Sequence, residues 1–117
     1  MTNTMLALKK LRERLPGTEN RTKYISCFSN TSGRQIAIEK ERQDGIYIWV
    51  ECHTPEIEGV EIRNRNTPGF PYSRSQSRNS NLNEKTASRL KVGNKVWYLK
   101  IEALESFNQF VGRYYAA

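Results

Sequence analysis

Apolar and polar residues alternate with a period of two through the middle of this chain and shift to spacings of three and four near both ends. Those are the periods of a sheet flanked by helices. The stretch Ala87 to Tyr115, ASRLKVGNKVWYLKIEALESFNQFVGRYY, holds both patterns. Gly93-Asn94 lies between two alternating runs, and both residues tolerate the positive φ of a two-residue hairpin turn. Pairing Leu90 with Trp97 across that turn places Leu90, Val92, Trp97, Leu99 and Ile101 on one face. Arg89, Lys91, Val96, Tyr98 and Lys100 fall on its reverse, which is therefore basic with one aromatic ring. Leu104, Phe107, Val111 and Tyr114, with Phe110 beside them, then form the apolar stripe of a helix. Glu102 and Glu105 sit in its first turn, where carboxylates suit the positive end of the dipole.

At the other end, Thr4 is placed to cap a helix whose stripe is Met5, Leu8, Leu11 and Leu15, stopped by Pro16-Gly17. Lys9, Lys10, Arg12 and Arg14 form the charged outer face of that helix. Lys23 to Ser29 alternates as a strand, and Arg34 to Cys52 as a second hairpin around Asp44-Gly45. A three-residue loop, Gln43-Asp44-Gly45, pairs Ile38 with Val50 and puts Ile36, Ile38, Ile46, Ile48 and Val50 on one face. The reverse face receives Ala37, Glu39, Glu41, Tyr47, Trp49 and Glu51, either covered at Trp49 by a helix or solvated. His53-Thr54-Pro55 ends that hairpin, and Val60–Arg63 has room for one more short strand. The expectation is one α+β domain over residues 1–117. It consists of an antiparallel twisted sheet of about five to six strands (two hairpins), with an N-terminal and a C-terminal helix packed on it.

Composition changes this picture in one respect. The apolar share is 37%, below the roughly 45–50% of globular chains, and much of the deficit lies in a single segment. No apolar run is long enough for a membrane span, so a soluble cytoplasmic protein with no membrane partner is expected. Cys27 and Cys52 are too few for a disulfide framework and are expected as reduced thiols in strands. Three carboxylates, Glu56, Glu58 and Glu61, follow the lone His53 without ligand spacing, so no metal or other cofactor is expected. Ile38-Glu39-Lys40 has the ending of a nuclease metal motif but lacks the acid that should precede it. No paired acids, nucleophile with base or phosphate-cradling glycine loop appears, so catalysis is not expected.

Charge is the distinctive property. Residues 1–62 hold nine cations and nine acids, whereas residues 63–117 hold ten cations against three acids, which accounts for the whole net charge of +7. The aperiodic segment 63–86, RNRNTPGFPYSRSQSRNSNLNEKT, carries four arginines, five asparagines and Gln76, with Phe70 and Tyr72 among prolines. A structureless stretch of this length is unusual in a compact domain unless it is functional or disordered. Leu82 is its one apolar anchor in the run Asn79 to Asn83, which is placed to cap a short helix. Arginine suits guanine edges and phosphates, Asn and Gln suit adenine edges, and aromatic rings stack on unpaired bases. Continued onto the basic hairpin face, the segment predicts a nucleic-acid surface. Its residues are Arg63, Arg65, Arg74, Gln76, Arg78, Asn79, Asn81, Lys85, Arg89, Lys91, Tyr98 and Lys100. Duplex DNA is favoured over RNA, and six cations on phosphates predict a log–log salt slope of about −5. The DNA-binding domain would then serve a larger nuclease or regulatory protein. The competing expectation is a small protein-interaction module or inhibitor that docks the same basic surface on an acidic or nucleic-acid-binding partner.

Overall fold

The computed structural model describes residues 2–52, 57–63 and 70–116. Helix α1 spans Asn3–Arg14, with Thr2 as its N-cap accepting from the Met5 amide at 3.2 Å. Thr4, expected as the cap, lies inside the helix and buried; its hydroxyl donates to the Arg42 carbonyl at 2.7 Å and to that of Gly45 at 3.1 Å. The buried stripe is accordingly Thr4, Ala7, Leu8 and Leu11 followed by Leu15, and Met5 is exposed. Strands β1 (Asn20–Arg21), β2 (Ile25–Ser29), β3 (Gln35–Glu39), β4 (Ile46–Val50), β5 (Val60–Ile62) and β6 (Trp97–Ile101) precede helix α2 (Leu104–Ala116).

The six strands make one antiparallel sheet in the order β1-β2-β3-β4-β6-β5. This is the α+β architecture expected, a sheet of six strands carrying a helix from each end of the chain. Ile36 pairs with Val50 and Ile38 with Ile48, so the β3–β4 register is two residues from the predicted one. A shift of two preserves facing, and Ile36, Ile38, Ile46, Ile48 and Val50 do share a buried face. Phe28, Leu99 and Ile101 join them under Leu8 and Leu11 of α1 and Phe107, Phe110 and Tyr114 of α2. The two helices run side by side and parallel. Asn3 donates to the Glu102 carbonyl at 3.0 Å near their starts, and Arg14 lies close to Tyr115 near their ends.

The opposite sheet face is the main departure from expectation. Ile25, Cys27, Ala37 and Trp49 are buried there, not by a helix but by residues 70–96, whose Tyr72, Leu82, Ala87, Leu90 and Val96 complete a second apolar cluster. Burial on both sides explains why β4 is the unbroken apolar run IYIWV. Burial also pushes the Cys27 thiol up to about 12, with the Glu51 charge adding to the effect, so it packs as a small apolar group.

Gly93-Asn94 does not join two strands, because residues 87–94 are successive turns. The reason is that both edges of β6 are taken, by β4 on one side and on the other by β5 and the Tyr72–Val96 bridge. Leu90 therefore turns into the second cluster and Val92 is left half exposed. Asn79 to Asn83 likewise form turns rather than a helix, with Asn79 Oδ1 accepting from the Asn81 amide and Asn83 Oδ1 from the Lys85 and Thr86 amides. These are local side-chain-to-backbone bonds that compete with helix formation. The predicted strand end at His53-Thr54-Pro55 lies outside the described residues.

Candidate functional site

Two carboxylates, Glu39 and Glu51, bond the covering layer to the sheet through Asn79 and Arg89. Glu39, at the end of β3, accepts from Tyr98 Oη at 2.6 Å, Arg42 Nε at 3.1 Å, Trp49 Nε1 at 3.1 Å and Asn79 Nδ2 at 3.4 Å. Trp49 stacks on Tyr98 with centroids 4.1 Å apart and meets Tyr72 edge-on at 4.9 Å. Burial and the bond to Glu39 both raise the Tyr98 hydroxyl pKa. The carboxylate of the Ile38-Glu39-Lys40 triplet is thus committed to holding the fold.

Within the layer, Arg78 does the same for backbone oxygens. Its Nη1 donates to the carbonyls of Leu90 (3.2 Å), Lys91 (3.2 Å) and Asn94 (2.7 Å), and its Nη2 to Ser73 (2.7 Å) and Gln76 (3.3 Å). Partial burial lowers its pKa, while nearby Tyr72 acts the other way. A guanidinium can satisfy turns in this way because its planar fork reaches several acceptors at once.

At the end of the sheet where β4 finishes and β6 begins, Glu51, Arg74, Arg89, Gly93, Asn94 and Lys95 line an open cleft of about 500 Å³. Arg89 spans it from the side. Its Nη2 meets Glu51 Oε1 at 2.6 Å, its Nη1 meets the Ser32 carbonyl at 3.3 Å, and its amide donates to Gln35 Oε1 at 2.8 Å. Glu51 Oε2 accepts from the Gln35 amide at 2.6 Å. Gly33, with φ +86°, passes so near that an added Cβ would sit 3.0 Å from Arg89 Nη1. Arg74 is brought to the cleft because Tyr72 bridges to Val96 and the Gly93 amide donates to the Arg74 carbonyl at 2.7 Å. The side chains of Arg74 and Lys95 are exposed and find no partner among the described residues.

The expected surface is therefore divided. Arg74 and Arg89 both line the cleft, and Lys85 is exposed in the same layer with no partner among the described residues. Arg78 is committed to carbonyls, Gln76 Oε1 accepts from the Ser73 amide at 2.7 Å, and Asn79 and Asn81 bond each other at 3.0 Å. Lys91 pairs with Glu84, and Tyr98 lies within the aromatic stack. Lys100, only 15% exposed, sits between Asp44 at 3.9 Å and Glu102 at 3.5 Å, near the far end of β6. It lies five positions along the chain from Lys95, roughly 17 Å if extended. Arg63 pairs with Glu61 at 3.3 Å beside the outer strand, and Arg65 lies outside the described residues. One continuous patch from Arg74 to Lys100 is not assembled. Lys95, Asn94 and Glu51 also belong to the cleft, beyond the residues expected from the sequence. Comparison with protein-family models, curated proteins and solved structures gives no match, so the cleft is interpreted from its own chemistry.

Proposed function

We propose that this chain binds nucleic acid, with phosphate oxygens held at the cleft by Arg74 and Lys95. The observation that carries the reading is the contrast among cations of one layer. Arg78, Lys91 and Lys100 have acceptors within the protein, whereas Arg74 and Lys95 line the cleft with no partner among the described residues. Unpaired cations at the rim of a cleft attract polyanions and draw affinity from counterion release. The preference for duplex DNA rests on the Arg/Asn-rich base-edge chemistry of the segment, of which Arg78, Asn79 and Asn81 are bonded within the protein. With those side chains committed, phosphate contact supports the reading and the form of the nucleic acid becomes a variable of the test.

Two phosphate contacts imply a log–log salt slope of about −2 on duplex, shallower than the −5 of a six-cation surface. Fluorescence anisotropy with labelled duplex DNA, single-stranded DNA and RNA measures it directly. The variant Arg74→Ala/Lys95→Ala should bind at least about tenfold more weakly and lower the slope by about 2. Unchanged affinity for all three polymers would overturn the reading.

A further inference from the structure

The cleft holds a feature that a site for phosphate alone would not favour. Glu51 points into it and stays 17% exposed even with Arg89 bound. Its orientation is set by bonds to both oxygens at 2.6 Å, from the Gln35 amide of β3 and from Arg89. A bare phosphate close to a fixed carboxylate is repelled. A carboxylate oxygen takes two donors, so each Glu51 oxygen retains one acceptor site directed away from those bonds. Asn94, which also lines the cleft, donates through Nδ2 to the Ser88 carbonyl at 3.4 Å, and its Oδ1 receives no hydrogen bond among the described residues. The cleft is thus lined both by acceptors and by cations without a partner among the described residues, within a volume of the size that binds small organic ligands.

We infer that the cleft takes a nucleotide whose base is unpaired, an exocyclic amino group of the base donating to Glu51 and its phosphate lying between Arg74 and Lys95. The inference rests on the nucleic-acid reading and makes it more specific. In a duplex one amino hydrogen of cytosine is taken by its partner and only the other is displayed in the major groove, whereas in a loop, end or single strand the whole Watson–Crick edge, with both amino hydrogens, can enter a cleft of this size. Glutamate accepting from the cytosine N4 amino group is an established pairing, and the uracil O4 at the same position would face Glu51 oxygen to oxygen.

Cytidine and uridine monophosphate share sugar and phosphate and differ at that position, so the unaltered protein tests the inference by calorimetric titration. Cytidine monophosphate should bind about tenfold more tightly than uridine monophosphate, within the range one base contact supplies. Glu51→Gln, checked for folding by circular dichroism, should remove the preference while retaining phosphate-dependent binding. Equal affinity for the two nucleotides, or no nucleotide binding beside intact polymer binding, overturns this inference and leaves the phosphate reading standing. If nucleotides and all polymers fail to bind, or only an acidic peptide binds, both are overturned.

Discussion

Arg74 and Arg78 are four residues apart, and their surroundings give them different work. Arg78 donates to the carbonyls of Ser73, Gln76, Leu90, Lys91 and Asn94, which in a segment of turns have no ladder to bond to. Arg78→Ala should destabilise the protein by about 2–3 kcal/mol in urea unfolding, the cost of leaving charge-assisted carbonyl acceptors without their donor. Arg74→Ala should leave stability within about 0.5 kcal/mol of the parent, as an exposed change away from special contacts does, and should reduce nucleic-acid binding instead. Loss of stability in both variants would show that Arg74 is structural too. Nothing in the stretch Arg74-Ser75-Gln76-Ser77-Arg78 distinguishes the two arginines beforehand, because the difference is made by carbonyls twelve to sixteen residues later in the chain.

At the scale of elements, strand facing was legible where a single period governed it. The face of Ile36, Ile38, Ile46, Ile48 and Val50 follows from alternation alone, and the stripe of α2 from its spacing. The second apolar cluster was not legible, since Tyr72, Leu82, Ala87, Leu90 and Val96 reach the sheet without periodicity, anchored by turns. The run IYIWV did carry the signal of two-sided burial, yet its partner looked too polar to be a cover.

Contacts between elements also set a pH response. Arg12 of α1 binds Glu19 bidentately at 2.8 and 3.1 Å, and Ser26 of β2 donates to the same carboxylate at 2.6 Å. The bond from Arg12 is the largest cause of the fall in the Glu19 pKa from 4.5 to about 2, burial opposing it and Ser26 adding to it. A depressed carboxyl stabilises the fold above its unfolded pKa and loses that contribution as pH falls through the folded one. Glu19→Gln should therefore cost about 1 kcal/mol at neutral pH. The gap from the parent should close between pH 4.5 and about 2 in urea melts. A gap that stays constant across that interval would contradict the assignment.

For the molecule as a whole, the net charge of +7 is legible at once, but its division between surfaces is not. The sheet separates a helical layer, where Lys9 and Lys10 are exposed on α1, from the covering layer that carries Arg74, Lys85 and Lys95. The acids of the first half are not distant from the basic half. Glu39, Asp44 and Glu51 lie against Tyr98, Lys100 and Arg89, which is why most of the predicted patch is internally balanced. Choosing between the layers decides the account, and an amide-resolved NMR titration with short single-stranded DNA does so most directly. Saturable shifts centred on Arg74, Arg89, Gly93, Asn94 and Lys95, with α1 unmoved, are the predicted result. Shifts confined to Lys9, Lys10 and their neighbours on α1, or no shifts at all, would contradict it.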